Sequence, residues 1–331
     1  MTHVGIIGGG NISETHARAA SELEGVRVVA VHGQNRAKAE RLAHTYGGDV
    51  YEDLDSLLAH SPLEVVLVGS PSGLHAEQGI AAARRGLHVL VEKPLDVTVE
   101  RADALIEECE KANVKLGVFF QDRVASDVRG LKDLVETGRL GRPPVPTDAR
   151  WRGTWALDGG GALMNQGVHT LDLLLWLLGD VKSVCAKTAT ALHDIEVEDT
   201  VVATLEFENG AVGTLEATTA AYPGYPRRVE LTGTGGTVIL EGSSLVAADL
   251  RTPLEGFVFA EVASGSSPAA PSPVVSDVSG HKEILSDFLR SIETGGTPIC
   301  DGREGRRSVE LARAVYESSR TGQAVRLGRW A

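Results

Sequence analysis

Residues 4–13 read Val-Gly-Ile-Ile-Gly-Gly-Gly-Asn-Ile-Ser, an apolar run that breaks into glycine and continues in a helical pattern. Gly8-x-Gly10-x-x-Ser13 approximates the spacing G-x-G-x-x-G, with serine as the small third residue. One glycine permits a sharp strand-to-helix turn. The next lets bare backbone approach a pyrophosphate, which then rests on the helix N-terminus at Asn11 and Ile12. An ordinary tight turn is the plainer alternative. Strand Val4–Ile7, helix Ile12–Leu23 and strand Val26–Val31 supply the context that a dinucleotide seat needs. Further along, Val89-Leu90-Val91 ends in Glu92-Lys93-Pro94. Proline biases Lys93 toward an extended conformation and so sets its side-chain direction at a strand end. An ammonium there binds a substrate oxygen, and partial burial lowers its pKa from ~10.4 toward neutrality for proton transfer. The alternative is a solvated lysine paired with Glu92.

Three more groups have spacings that suit chemistry. Asn165, His169 and Asp172 stand at i, i+4 and i+7, one face of a helix, after the run Gly159-Gly160-Gly161. Histidine titrates near pH ~6.5 and suits a proton relay. His169 could equally hydrogen-bond inside a packed helix, and Asp172 could be a structural acid. Trp151-Arg152-Gly153-Thr154-Trp155 offers aromatic faces and a guanidinium to a sugar, with Arg152 and Trp155 as candidate substrate contacts, although tryptophans also fill cores. The loop His32-Gly33-Gln34-Asn35-Arg36-Ala37-Lys38 follows the second strand, where NAD-selective folds place an acid for the ribose hydroxyls. Gly33 holds that position. Arg36 and Lys38 are able to pair with a 2′-phosphate, which favours NADP(H) slightly over NAD(H). Two solvated first-turn residues, indifferent to the cofactor, are the other reading.

The elements that must carry these residues follow from periodicity. Residues 1–120 alternate apolar strands with helices, so a parallel sheet covered on both faces is expected, with ligands at the strands' carboxyl ends. The informative loops are then Gly8–Ser13, His32–Arg36, Gly69–His75, Glu92–Pro94 and Gln121–Arg123. After residue 123 a helix (Ala125–Thr137), a proline-rich segment (Gly141–Pro146) and a second helix (Ala162–Leu178) lead into short strands, with Glu208-Asn209-Gly210 as a hairpin turn. Ser264–Ser276 reads as a loop, and helices His281–Thr294 and Glu304–Thr321 follow. The expected fold is α/β: a dinucleotide-binding domain over 1–122, then an α+β substrate-binding and oligomerisation domain over 123–331 built on an open, mostly antiparallel sheet.

With 331 residues, two domains are expected. A net charge of −13 with scattered basic residues argues against nucleic acid or an anionic membrane as partner. Cys109, Cys185 and Cys300 are isolated, which predicts reduced thiols, with neither a disulfide framework nor a metal site. A first strand at residue 4 leaves no room for a signal peptide, and the apolar stretch Leu171–Leu178 is too short to span a bilayer, so a cytoplasmic location is expected.

Taken together, Gly5–Ser13, Ser70-Pro71-Ser72-x-x-His75, Glu92-Lys93-Pro94, Gly159-Gly160-Gly161-x-x-x-Asn165-Gln166-Gly167-x-His169-x-x-Asp172 and Glu304-Gly305-x-x-Ser308-x-Glu310-Leu311-Ala312 resemble the Gfo/Idh/MocA (glucose–fructose oxidoreductase / inositol dehydrogenase) family. The resemblance covers nearly the whole chain. It implies a Rossmann domain holding NAD(P), oxidation or reduction of a sugar, sugar derivative or cyclitol at a secondary alcohol or ketone, and a homodimer or homotetramer. It also implies that Ser70, His75, Glu92, Lys93 and Gln121 lie on the cofactor, and that Lys93, Asn165 and His169 are catalytic. Two departures stand out: Asn165 occupies a position where relatives usually carry aspartate, and the segment from Gly141 to Asp158 is short. Two rival readings remain open at this point. One is cofactor-assisted glycoside cleavage or hydration within the same family; the other is a non-catalytic dinucleotide-binding regulator.

Overall fold

The computed structural model describes residues 1–140, 155, 159–221, 224–252 and 277–328; Arg152, the rest of 141–158 apart from Trp155, and the loop expected at 264–276 lie outside the described residues. By its internal contacts the chain divides into two units, Met1–Gln121 with Pro271–Arg306, and Asp122–Ala270 with Arg307–Ala331. Residues 271–306, expected with the second domain, side with the first.

The first unit is a six-stranded parallel sheet. Its strands β1 (Thr2–Ile7), β2 (Val26–His32), β3 (Asp49–Tyr51), β4 (Val65–Val68), β5 (His88–Val91) and β6 (Leu116–Val118) lie in the order β3-β2-β1-β4-β5-β6. Helices α1 (Asn11–Ser21), α2 (Arg36–Tyr46), α3 (Leu54–Leu58), α4 (His75–Ala83) and α5 (Val99–Lys111) connect them. The four residues of β4 are all buried, as a strand covered on both faces requires. Between β1 and β4 the strand order reverses, and the crevice beyond their carboxyl ends is where such sheets bind ligands. The short edge strand β3 carries too little pattern to be seen in sequence.

Why 271–306 belongs here is visible at β6. The amide of Val118 donates to the Cys300 carbonyl at 3.0 Å. A Cβ on Gly302 would stand 2.4 Å from Leu116, and one on Gly305 2.6 Å from Val118. These glycines let the returning chain lie directly on the sheet edge.

In the second unit, α6 (Ser126–Glu136) and α7 (Val168–Leu178) accompany two antiparallel sheets among the described residues. One has the order β13-β7-β8-β9, from Val325–Arg326, Val181–Ala189, Thr200–Phe207 and Val212–Thr218. The other is β10-β11-β12, from Arg228–Gly233, Gly236–Glu241 and Ser244–Leu250. The Asn-Gly turn forms as expected: Gly210 has φ +84° and joins β8 to β9. Helix α7 is largely apolar and buried along nearly its whole length, with His169, Thr170 and Asp172 as its polar residues. α8 (Ser279–Thr294) and α9 (Gly302–Thr321) are the last helices. No described helix is long and apolar enough to cross a membrane.

Candidate active site

The glycine loop is built as its spacing requires. Gly8 has φ +129°, and a Cβ there would fall 2.4 Å from the Ser13 hydroxyl and 2.7 Å from the Gly69 carbonyl. Gly10 precedes α1, and a Cβ on it would meet no described atom within 4 Å. The first glycine is thus demanded by the protein, whereas the second leaves backbone facing open space. A groove of about 410 Å³ lies along these residues, lined among others by Gly8, Gly10, Gly33, Lys38, Ser70 and Pro71. No aspartate or glutamate lines it. Asn35 accepts from the Lys38 amide at 3.1 Å and so starts α2 at Arg36. Lys38 borders the groove. Arg36 does not: it is ion-paired with Glu40 at 2.8 Å and with Glu52. An acid at position 33 would press on the glycine loop, since its Cβ would lie 3.0 Å from the Gly9 nitrogen and 3.2 Å from the Gly8 carbonyl carbon and the loop would have to give by a few tenths of an ångström.

At the end of β5, Lys93 is half-buried, its amide donates to the Glu92 carboxylate at 3.1 Å, and the Lys93–Pro94 peptide is cis. Glu92 does not point to solvent beside the lysine. It is buried, with His16 Nε2 at 3.0 Å and His281 Nε2 at 3.5 Å from its Oε1. Burial alone would push this carboxyl up, but the two imidazoles hold it well below the usual glutamate range. His16 stacks on Phe119 with ring centroids 4.3 Å apart, and burial pulls its own pKa down. The His–Glu–His trio has the composition of a metal site. A metal-bound imidazole usually donates its other N–H to an acceptor, and His16 Nδ1 is buried with no hydrogen-bond partner among the described residues. The trio is a carboxylate closed by two N–H donors, and sequence reading missed it because its members are far apart in the chain.

His75 is buried rather than lining the groove. Its Nδ1 meets the Pro94 carbonyl and its Nε2 the Ser70 carbonyl, each at 2.9 Å. A neutral ring has one N–H and donates to one of these two carbonyls, so His75 sits between the loop after β4 and the residue following Lys93. Gln121, at the last strand's end, has a buried Oε1 with no hydrogen-bond partner. A buried orphan acceptor costs free energy until a donor arrives. The glycine loop and the groove along it, which no described aspartate or glutamate lines, fit a dinucleotide.

In the second unit, the segment Leu163–Gly167 is one π-helical turn that runs into α7. Asn165 lies in that turn and His169 beyond it, so the expected single α-helical face is interrupted between them. Asp172 is not a site group: Arg123 grips it at 2.9 and 2.7 Å, with both side chains about 1% exposed. His169 Nδ1 instead lies 3.9 Å from Asp122, the residue just before Arg123. The triple glycine serves packing: a Cβ on Gly160 would stand 2.0 Å from the Tyr316 hydroxyl, and one on Gly161 1.8 Å from the Glu198 carbonyl. Buried Glu198 caps this segment, accepting from the amides of Gly161 and Leu163 at 2.8 and 3.0 Å. Trp155 is 39% exposed, donates to the Glu196 carbonyl at 3.1 Å, and sets its edge against Tyr316.

Comparison with known proteins agrees with this architecture. Residues 2–120 match the oxidoreductase family with an NAD-binding Rossmann fold, and residues 128–239 match the GFO/IDH/MocA C-terminal domain. The myo-inositol 2-dehydrogenase of Thermotoga maritima is 26% identical over 98% of this chain and 98% of its own. A D-xylose 1-dehydrogenase (NADP(+)) of Haloferax volcanii is 28% identical, covering 98% of this chain and 99% of its own. Among solved structures, the WlbA dehydrogenase of Bordetella pertussis in complex with NADH and UDP-GlcNAcA superposes with a TM-score of 0.86 at 30% identity, over 99% of this chain and 98% of that one.

Proposed function

The chain belongs to the GFO/IDH/MocA oxidoreductases, an NAD-binding family of sugar and cyclitol dehydrogenases, and from that premise we propose that it transfers a hydride between nicotinamide and a secondary alcohol or ketone of a sugar, sugar derivative or cyclitol. The observation that carries this reading is Lys93, a half-buried lysine at the carboxyl end of β5, in the same row of strand ends as the glycine groove. The nicotinamide, when bound, takes or gives the hydride at its C4. Lys93 binds the substrate oxygen and stabilises it as it becomes alkoxide-like. Glu92 fixes the backbone at that position by accepting the Lys93 amide. His169 takes or returns the hydroxyl proton, and Asn165 bonds a substrate hydroxyl. Trp155 supplies an aromatic face and Arg152 a guanidinium to the substrate.

NADP(H) is the preferred cofactor in this reading, because Lys38 borders an acid-free groove. The enzyme is a homodimer or homotetramer, joined through the outer face of the four-stranded sheet, where Val202 and Val212 are 47% and 56% exposed. A panel of sugars and cyclitols, assayed with both cofactors by nicotinamide absorbance, tests the proposal. Stoichiometric cofactor reduction supports it. Substrate cleavage or hydration without net reduction overturns it.

A further inference from the structure

Asp122 is held from several sides. Arg227 donates to its Oδ2, and the Ser243 hydroxyl donates to its Oδ1 at 3.3 Å. Arg227 is in turn fixed by its Nη2, which donates to the Gly242 carbonyl at 2.7 Å. Chain direction at this turn is set by the next residue, Arg123, locked on Asp172. The side chains of Asp122, His169 and Arg227 are only 14%, 17% and 12% exposed. At 3.9 Å, the His169–Asp122 separation is long for a hydrogen bond, yet well within the ~4–6 Å over which opposite charges shift each other's protonation. Catalytic hydrogen bonds are often long before a ligand closes them.

We propose that Asp122 is the carboxylate partner of His169, a positioning residue that orients the imidazole and favours its protonated form, with Arg227 behind it setting how strongly. The proposal rests on His169 being the proton-transfer group of the reaction above. Its own helix offers no substitute: Asn165 is neutral, and Asp172 is closed by Arg123. From α6, Arg129 donates to the Arg123 carbonyl, Lys132 donates to the Trp176 carbonyl, and the Asp127 carboxylate takes the Leu245 amide. Burial by itself pushes the Asp122 carboxyl up. The Arg227 guanidinium, the His169 ring and the Ser243 hydroxyl bring it below the ordinary aspartate value, so it is an anion wherever a histidine titrates. Asp122 and Arg227 act on the imidazolium with opposite signs, which makes the arrangement testable.

The test is an NMR titration of His169 in the full chain without substrate, its ring signal assigned as the one lost in His169→Gln. Asp122→Asn removes the carboxylate and leaves Arg227, so the His169 midpoint should fall by about one unit or more. Arg227→Gln removes the opposing cation and should raise it. In turnover, the pKa controlling the pH–rate profile should move the same way in each variant. Adding Asn165→Asp to Asp122→Asn puts a carboxylate back four residues before His169, and should move the midpoint back up and recover part of kcat. A His169 midpoint unchanged in folded Asp122→Asn overturns the proposal. Should that variant not fold, a fall or no change in Arg227→Gln overturns it. Opposite shifts in an enzyme that turns over no sugar or cyclitol would support the pair while removing the reaction.

Discussion

Arg123 presents Nε and Nη2 to the two carboxylate oxygens of Asp172 at 2.9 and 2.7 Å, a bidentate pair sealed inside the second unit. Both side chains are about 1% exposed, and the guanidinium also lies over the Trp176 ring at 5.6 Å. Removing one member of such a pair strands a buried charge. Asp172→Asn or Arg123→Met is expected to cost about 3–5 kcal/mol of unfolding free energy, read from urea denaturation. The double substitution Arg123→Met/Asp172→Leu should recover much of that loss, because replacing both charges with apolar groups is often neutral. A single variant as stable as the parent would show that the pair contributes nothing.

Lys93 is expected to matter for turnover and not for folding. Its side chain is half-buried at a strand end, and the buried carboxylate next to it is satisfied by His16 and His281. Lys93→Met should therefore leave the melting temperature and cofactor affinity nearly unchanged while kcat falls by roughly 10²–10⁴. Near-normal turnover in this variant would end its assignment to the substrate oxygen.

The parallel sheet was legible because its signal is local. Runs such as Val65–Val68 and Val89–Val91, punctuated by glycine and proline, need no knowledge of distant partners. The glycine loop and Lys93 were legible for the same reason: each is a residue type at a fixed offset from a strand end. What stayed hidden depends on long-range approach. His16, Glu92 and His281 meet across the whole length of the chain, and nothing in the local pattern around His281 announces it. The triple glycine at 159–161 is visible as a motif, but only the placement of Glu198 and Tyr316 shows that packing demands it. Asp122 sat within a loop already singled out, flanked by Gln121 and Arg123, yet its ion pair with Arg227 joins residues 105 apart in the chain.

Two buried imidazoles give the first unit a defined response to acid. Burial pulls His16 below its ordinary value against the opposing pull of Glu92, and pulls His75 down against the two carbonyls it meets. Both are neutral in the fold, whereas in the unfolded chain they take a proton below pH ~6.5. The unfolded state therefore binds more protons in that range, and stability drops as pH falls through 6.5 toward the folded values. Each histidine contributes a slope of up to about 1.4 kcal/mol per pH unit. Thermal melts from pH 8 to pH 5 should show a plateau and then a decline, made shallower by His75→Gln. A melting temperature constant down to pH 5 would contradict this assignment of charge.

Cofactor preference turns on two neighbouring residues. Lys38 borders the groove, while Arg36 is committed to Glu40 and Glu52 and does not line it. The 2′-phosphate contact is thus expected from Lys38, with Arg36 contributing little. Lys38→Ala should raise KM for NADP+ roughly tenfold, about 1.4 kcal/mol, and leave NAD+ nearly unaffected; Arg36→Ala should change neither by much. Installing the missing acid should not convert the enzyme to NAD+. A Cβ at position 33 would stand 3.0 Å from the Gly9 nitrogen and 3.2 Å from the Gly8 carbonyl carbon, so Gly33→Asp pushes on the glycine loop, which must give by a few tenths of an ångström. That variant is expected to lose affinity for both cofactors. Comparing kcat/KM for the two cofactors across these three variants decides the matter: a parent enzyme preferring NAD+ tenfold, or a Gly33→Asp variant that gains NAD+ activity, would overturn the assignment.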